Sequence, residues 1–431
     1  MERKSKYQST LQKIALSCDS FTTGYFAVSL LFAVWYVYMY GGVVVLGFLP
    51  LAILVSFAVM PLIYLIVHRV DVLLFGRYHL VMPISALMAA LFFVILYSST
   101  APDAGGAASV FFGTLLFVPS VMTYRYCAIS VRTRLMGDGV GTSVPYAAAF
   151  SVLGAVCSVV TFFGFWHYDG MAAFLNTAYV MGGACILLAV IGYLTTYYGI
   201  PQLGGRRVQS VKSVFRTFFV GLNKRTYFSA LLFLAAFAAA VMTNMLYALV
   251  MGLGYWEVFA IAIVFVVCYA ASSCACYYFA AKNGPVLFSV DFVCLMLGAL
   301  IPAVIAAVGS GGVVYAVAVS AALCGVGGAL SVRQAKIRLA TVKPHMTSGV
   351  LFMLFELTAA CAVAIAFAVC AVAAAAYDGM LSARAFLPSY GVCVVLCAAA
   401  FALTFKKRQT PESAPEESLK PDAAEEGVTA Q

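Results

Sequence analysis

The sequence predicts an all-α polytopic membrane protein with twelve transmembrane helices and both termini in the cytoplasm. Three observations support this fold class. The 431 residues are 64% hydrophobic and only 10% charged, whereas soluble domains are about 25% charged. Several apolar runs reach the roughly 20 residues with which a helix crosses about 30 Å of hydrocarbon. The basic residues also fall in alternate loops, as expected when cytoplasmic loops collect Lys and Arg.

The spans follow a basic N-terminal tail, residues 1–20, which is expected to precede an uncleaved first span. Turn signals rich in Gly, Pro or Asn separate several of them, at 41–42, 102–106, 252–254, 283–285 and 309–312. The predicted spans are about 21–40, 43–67, 81–100, 109–130, 144–166, 172–196, 227–250, 256–280, 286–309, 311–332, 347–376 and 385–405.

The distribution of positive charge fixes the predicted orientation. Of the 25 Lys and Arg residues, 24 fall on one side of this arrangement and only Arg384 falls on the other. The basic side is expected to be cytoplasmic. The formal charge of +9 therefore indicates topology, and we expect no nucleic-acid partner.

The chain divides into two predicted six-helix bundles, 21–196 and 227–405. A basic cytoplasmic loop, 197–226, joins them, and an acidic, Pro-containing tail, 406–431, is expected to be disordered. Short matches relate the two bundles. Ser130-Val131-Arg132 and Ser331-Val332-Arg333 are 201 residues apart, and Gly76 and Gly284 are 208 apart. This spacing favours two parallel six-helix repeats.

Twelve spans in a parallel repeat, a long basic central loop and "GRY" at 76–78 resemble the major facilitator superfamily. "RTRL" at 132–135 and "NKRTYFSALLFL" at 223–234 are similar to its glycoside-pentoside-hexuronide:cation symporter branch, which includes melibiose permease. The resemblance implies alternating access, with Asp71 and Arg77 as gate or structural charges. The family places an Asp directly before the Gly-Arg pair, whereas Asp71 lies five residues before Gly76. The cation-binding acids of the symporter branch have no counterpart in spans 43–67 and 109–124.

Glu356 is the clearest candidate for a coupling residue. It is the one acid in "SGVLFMLFELTAACAVAIAFAV", 348–369. Nine residues separate it from Thr347, or about 13 Å of helix, which places it near the middle of the membrane. A charge that faces lipid there costs at least about 3 kcal/mol. Glu356 is therefore expected to face the interior, as a proton carrier or substrate ligand or, alternatively, as a buried structural strut.

Three other charged residues, Arg125, Asp291 and Arg333, are candidates for binding or structural roles. Arg125 either extends to the membrane interface or lines the cavity, where it would bind an anionic group or pair with Glu356. Asp291, in the ninth span, is expected to be a structural partner of Lys282 or of the loop that carries Arg333.

Polar side chains on apolar helices suggest further contacts. Tyr25, Ser29, Phe32 and Tyr36 share one face of the first span. Thr243, Asn244 and Tyr247 cluster in the seventh. Such groups either bind a polar or aromatic substrate or form interhelical hydrogen bonds, and Tyr also occurs in interfacial belts. The glycines of "CGVGGAL", 324–330, are expected to let helices pack closely.

The leading interpretation is a secondary active transporter of a small solute in the plasma membrane, with protons as a possible coupling ion. The alternative is a non-transporting sensor or regulatory subunit that keeps the same bundle. Neither a catalytic constellation nor a phosphate-binding loop occurs in the sequence, and the thirteen cysteines show no ligand spacing. We therefore expect no enzyme activity, no cofactor and no metal, and partners limited to the lipid bilayer, the solute and protons, with the chain acting as a monomer.

Overall fold

A computed structural model describes residues 10–15, 17–69, 81–98, 104–136, 140–169, 172–197, 225–279, 284–309, 311–342 and 383–405, together with Thr358, Ala362 and Ile365. Within these ranges the chain is helical. The helices are α1 (Thr10–Ala15), α2 (Asp19–Arg69), α3 (Val81–Ser98), α4 (Ala104–Met136), α5 (Val140–Asp169), α6 (Ala173–Tyr197), α7 (Arg225–Val250), α8 (Tyr255–Phe279), α9 (Gly284–Val308), α10 (Val313–Val342) and α11 (Leu387–Phe405), and a 3₁₀ turn, Ala383–Phe386, precedes α11.

The helices coincide with most of the predicted spans. α3 to α10 lie on the third to tenth spans and α11 on the twelfth. Seven helices in the described ranges contain a segment long and apolar enough to cross a membrane: α4, α5, α7, α8, α9, α10 and α11. The predicted eleventh span, 347–376, lies outside the described residues apart from Thr358, Ala362 and Ile365, which are helical.

The predicted helix break at Gly41-Gly42 is wrong, because α2 is helical over all 51 residues from Asp19 to Arg69. A straight helix of this length would extend about 76 Å. Its contacts show that it does not run straight. The Phe26 ring lies 5.1 Å from the Phe117 ring, and Ser56 Oγ donates to the Leu115 carbonyl at 3.1 Å.

These two contacts on α4 are two residues apart, whereas Phe26 and Ser56 would be about 45 Å apart on a straight helix. The two arms of α2 therefore fold back on each other. The reversal of direction lies between Phe26 and Ser56, within a segment that is helical throughout.

Two helices extend well beyond the C-terminal ends of their predicted spans. α4 continues to Met136 and α10 to Val342, so Arg132 and Arg333 lie within helices rather than in loops.

The packing of helices is similar in the two parts of the chain. α3 packs against α4 and α6, and α9 packs in the same way against α10 and α11. We refer to α2–α6 as the first half and to α7–α11 as the second half. The halves contact each other through α5 with α8 and through α2 with α7.

Close helix crossings depend on glycine in both halves. A Cβ on Gly24 of α2 would overlap the Ser151 carbonyl of α5, and a Cβ on Gly154 of α5 would overlap the Phe21 carbonyl of α2. The two backbones therefore touch at a reciprocal glycine contact. This crossing holds the first arm of α2 against α5.

In the second half, α10 supplies three such glycines, each facing a different helix. A Cβ on Gly325 would lie 2.8 Å from the Phe265 carbonyl of α8, and one on Gly327 would lie 2.8 Å from the Leu295 side chain of α9. A Cβ on Gly328 would overlap the Phe237 ring of α7. The prediction that "CGVGGAL" allows close packing is confirmed.

Candidate functional site

Asn244 of α7 is the centre of a buried polar network in the second half. Its Nδ2 donates to Ser320 Oγ of α10 at 2.6 Å and lies 3.8 Å from Cys324 Sγ. The Tyr390 hydroxyl of α11 donates to Asn244 Oδ1 at 2.9 Å, and Ser320 Oγ donates to the Gly298 carbonyl of α9. The Asn244 amide thus connects α7, α10 and α11, and Ser320 extends the network to α9.

Aromatic rings surround this network. The Tyr247 ring, one turn beyond Asn244 on α7, packs edge-on against Tyr390 at 6.2 Å and against Phe386 at 5.4 Å. Asn244 is 5% exposed, and Tyr247 and Tyr390 are buried. In a low-dielectric interior, the bonds to Asn244 are individually stronger than in water. The site in this conformation is therefore closed and internally satisfied.

Three tyrosines of the first half bond to backbone carbonyls instead. The Tyr25 hydroxyl donates to the Thr177 carbonyl at 3.3 Å, and the Tyr36 hydroxyl donates to the Tyr97 carbonyl at 3.0 Å. The Tyr97 hydroxyl donates back to the Ser29 carbonyl at 2.7 Å. Tyr25 and Tyr36 both lie in the buried core, so these bonds join α2 to α3 and α6.

An aromatic cluster fills the space between these tyrosines. Phe26 packs against Phe93 and Phe117 at 5.4 and 5.1 Å, and Phe93 packs against Tyr97 at 4.9 Å. A narrow gap remains nearby, without room for a water molecule, lined by Ser29, Phe32, Phe93, Tyr97, Phe162 and Thr177.

Three buried threonine hydroxyls of the first half have no hydrogen-bond partner in the described structure. They belong to Thr114, Thr123 and Thr177. Among the described residues of the second half, the one comparable buried side-chain atom is Nε of Arg333. Because an unsatisfied buried polar group costs about 1–3 kcal/mol, the first half has hydrogen-bonding capacity that this conformation does not use.

Arg125 lies about two-thirds of the way along α4, next to Tyr124, and is half-buried. From this position the long side chain of Arg125 can reach either the membrane interface or the interior cavity, so both predicted roles stay open. Its role as a substrate ligand stays a prediction.

Asp291 lies fully buried between α9 and α10. Ser331 Oγ lies 2.9 Å from Asp291 Oδ1 and 3.1 Å from Oδ2, and it donates to this carboxylate. Two residues along α10, the Arg333 guanidinium donates to the Cys276 carbonyl of α8. Asp291 thus bonds to the segment that carries Arg333, which is helical rather than a loop, and a structural pairing of Asp291 with Lys282 or with Arg333 itself stays a prediction.

The structure brings some predicted residues together and leaves others apart. Asn244 and Tyr247 meet through Tyr390, and Asp291 lies close to the Arg333 segment. Tyr25 and Tyr36 belong to the first-half core instead. Glu356, Asp71 and Arg77 lie outside the described residues.

Ser320 and Tyr390 were not predicted as site residues. Each is an isolated polar side chain in an apolar helix, and a buried Asn needs partners. That need was visible in the sequence, but the helices that supply the partners are set by tertiary packing.

No group of three or more His, Cys, Asp or Glu side chains arranged to hold a metal ion occurs in the part of the chain that the structure describes.

Solved structures of membrane transporters share this fold. Two structures of nucleoside transporter NupG, one of them a mutant, superimpose with TM-scores of 0.70 and 0.65 at 15% and 16% identity. Each covers 91% of this chain, and 99% and 98% of the transporter chain. A POT family transporter in complex with a thioalcohol-conjugated peptide gives a TM-score of 0.65 at 11% identity, over 92% of this chain and 96% of its own.

No protein-family model and no curated protein sequence matches the chain. The structural likeness shows the fold of these transporters, as the resemblance to the major facilitator superfamily implies.

Proposed function

We propose that the chain is a secondary active transporter that moves a small solute across a membrane by alternating access between its two halves. The likeness to solute transporters over about nine-tenths of the chain carries this proposal. The similar packing of α3 in the first half and α9 in the second supports it, because rocking of one repeat against the other requires two comparable bodies.

The proposal includes the predicted topology of twelve spans with both termini in the cytoplasm. The positions of the described helices support this proposal, because α3 to α10, the two arms of α2 and α11 overlap eleven of the predicted spans. The two bundles would be 21–196 and 227–405, connected by the cytoplasmic loop 197–226. The plasma membrane as location, the monomeric state and the sugar–cation symporter branch belong to the same proposal.

The solute is proposed to bind where the halves face each other. Asn244 and Tyr247 are the second-half candidates, because they combine an amide with aromatic rings on a helix that contacts the first half. Binding there would exchange one of the Asn244 hydrogen bonds for a bond to the solute. Arg125 and the unsatisfied hydroxyls are the first-half candidates.

The sensor alternative has less support, because the structures that share the fold are transporters. Movement of solute across a membrane distinguishes a transporter from a sensor. A screen of solutes by thermal stabilisation in detergent, followed by uptake of each stabilising solute into proteoliposomes, should give protein-dependent accumulation. Solute binding without any flux would favour the sensor.

Glu356 is proposed to couple transport to protons, since an acid in the middle of an apolar span can exchange between its charged and protonated forms. Glu356→Gln imitates the protonated form in shape. The variant should exchange solute across the membrane at close to the parental rate. Its accumulation of solute driven by a pH gradient should fall by at least about tenfold.

The proposed coupling role of Glu356 is tested by measuring solute exchange and gradient-driven uptake in the same proteoliposomes. A Glu356→Gln protein that still accumulates solute in response to the pH gradient would show that Glu356 is structural. Thr358→Val, two residues away, is the matched control.

A further inference from the structure

A proline inside α9 leaves one backbone carbonyl without its usual partner. Pro302 lies within this helix and has no backbone N–H, so the carbonyl four residues earlier loses its hydrogen bond. That carbonyl belongs to Gly298, which is buried. In a membrane, a carbonyl freed in this way needs a donor from a neighbouring helix. We term residues 298–302 the proline segment.

Ser320 of α10 supplies this donor. Its side chain is buried, and its hydroxyl donates to the Gly298 carbonyl. The helices approach closely here because position 298 is glycine, since an added Cβ would lie 2.9 Å from Cys324 Sγ of α10. Cys324 Sγ also lies 3.9 Å from Ser320 Oγ, but sulfur is a weaker partner than the carbonyl for the single hydroxyl proton.

The first half contains the same arrangement at Pro119 of α4. The carbonyl freed there is that of Leu115, and Ser56 of α2 donates to it at 3.1 Å. Ser56 also donates to the Ala52 carbonyl of its own helix at 2.7 Å, so one proton is shared between two acceptors. In both halves, a serine of a neighbouring helix therefore serves the carbonyl that a proline leaves free.

The serine of the second half is also connected to the candidate solute site. Asn244 Nδ2 of α7 donates to Ser320 Oγ at 2.6 Å. Ser320 thus accepts from α7 and donates to α9, and hydrogen bonds in such a chain polarise and strengthen one another. Because its proton is engaged by Gly298, the Ser320 hydroxyl presents its lone pairs to Asn244.

We propose that Ser320 is a positioning residue that couples the Asn244 amide to the proline segment of α9. A solute that accepts from Asn244 Nδ2 would take this donor from Ser320, and the bond from Ser320 to Gly298 would weaken. Occupancy of the site would thereby be transmitted to α9. This role in transport rests on the proposed function, whereas the chain of hydrogen bonds does not.

A rescue experiment tests the bond between Ser320 and the proline segment. Ser320→Ala should lower the thermal midpoint in detergent by at least about 2 °C. Pro302→Ala supplies a backbone N–H that can bond to the Gly298 carbonyl within α9. In the Pro302→Ala background, Ser320→Ala should lower the midpoint by only about half as much, because the carbonyl keeps a partner while Asn244 still loses one.

Thr404→Val is the matched control for this rescue. The Thr404 hydroxyl donates to the Ala400 carbonyl of its own helix at 2.9 Å, so its loss should have the same effect with and without Pro302→Ala. An equal effect of Ser320→Ala in the two backgrounds would overturn the proposal. A Ser320→Ala protein that folds in neither background would also overturn it, since rescue is expected.

Amide hydrogen exchange in α9 tests the link to Asn244. Exchange of buried helix amides requires local opening, and one hydrogen bond corresponds to about two- to tenfold in that equilibrium. Asn244→Ala should speed exchange of the amides of residues 298–306 by at least about twofold. Tyr390→Phe, which removes the other bond of the same amide, should leave their exchange unchanged.

The effect of Asn244→Ala on these amides should vanish in the Pro302→Ala background, where the Gly298 carbonyl has a partner in its own helix. Unchanged exchange in Asn244→Ala, an equal increase in Tyr390→Phe, or an increase that persists in full with Pro302→Ala would each overturn the coupling.

Because these measurements need neither solute nor flux, their failure is distinguishable from failure of the proposed function. Absence of uptake for every solute would reject the transporter, whereas absence of rescue by Pro302→Ala rejects only the role of Ser320.

Discussion

The two halves of the molecule share an arrangement of helices but satisfy their buried polar groups differently. In the second half, Ser320 and Tyr390 both bond to Asn244, so side chains from α7, α10 and α11 form a connected network. In the first half, the Tyr25 and Tyr36 hydroxyls bond to backbone carbonyls, and three other buried hydroxyls, of Thr114, Thr123 and Thr177, have no bond. The comparison indicates a second half that is fixed internally and a first half that keeps unused polar groups.

The glycine contacts show a related difference. The first half depends on the Gly24 and Gly154 pair at one backbone crossing, whereas α10 distributes Gly325, Gly327 and Gly328 over three neighbours. A substitution at Gly24 or Gly154 therefore forces two backbones apart. Two of the three α10 glycines face side chains, which adjust at lower cost than a backbone does.

The largest expected effect is at the reciprocal glycine crossing. Gly154→Ala puts a methyl group into the Phe21 carbonyl, so α2 and α5 must separate. We expect loss of folded protein, or destabilisation by more than about 3 kcal/mol, in the upper range for single substitutions. Gly164→Ala, on the same helix with nothing within 4 Å of its added Cβ, is the control and should be neutral or slightly stabilising because Ala is the better helix former.

Yield of monodisperse protein and the thermal midpoint in detergent measure both variants. Similar behaviour of Gly154→Ala and Gly164→Ala would mean that the crossing is looser than described.

The polar network should give the next largest effect. Asn244→Ala leaves Ser320 and Tyr390 without their common partner, and we expect a loss of about 1–3 kcal/mol in the free energy of unfolding. Tyr390→Phe should cost about 1 kcal/mol, and the two changes together should cost less than their sum, because they remove the same bond. Tyr25→Phe, which removes one bond to a carbonyl in the first half, is the matched comparison.

A double-mutant cycle in urea or by thermal unfolding provides these values. Strict additivity of Asn244→Ala and Tyr390→Phe would show that the two side chains do not interact, and the proposed contrast between the halves would fail.

The smallest effect is expected at the unsatisfied hydroxyls, and its sign is opposite. Thr177→Val keeps the shape and removes a buried hydroxyl without a partner, so the protein should become more stable by up to about 1–2 kcal/mol. Ser320→Ala, which removes a bonded hydroxyl, should destabilise it. Thermal midpoints of the two variants give the comparison, and destabilisation by Thr177→Val would mean that its hydroxyl is satisfied by water.

Sequence reasoning predicted the positions of most helices because hydrophobic length and the distribution of Lys and Arg are properties of the chain itself. It also predicted the role of the α10 glycines, since small residues in an apolar helix have few other uses. The helix ends were less accurate. α10 continues ten residues beyond its predicted end, because a helix need not stop at the surface of the hydrocarbon.

The candidate site was less predictable, because tertiary packing and not the local sequence brings its residues together. Asn244 is conspicuous in an apolar helix, but its partners Ser320 and Tyr390 are 76 and 146 residues away, and no local pattern connects them. The contact between Phe163 and Phe259 likewise joins the end of α5 to the start of α8, which only the packing of the two halves reveals.

The most direct test of alternating access is a reversible cross-link between α5 of the first half and α8 of the second. Phe163→Cys and Phe259→Cys replace two rings that lie 5.3 Å apart, in a background without reactive cysteines. A short thiol-specific cross-linker that a reductant can cleave should join them. Solute uptake into proteoliposomes should then fall at least about tenfold and return after reduction, while each single-cysteine variant stays active. Uptake that continues unchanged with the cross-link fully formed would contradict the account, because the two halves would not need to separate at this end during transport.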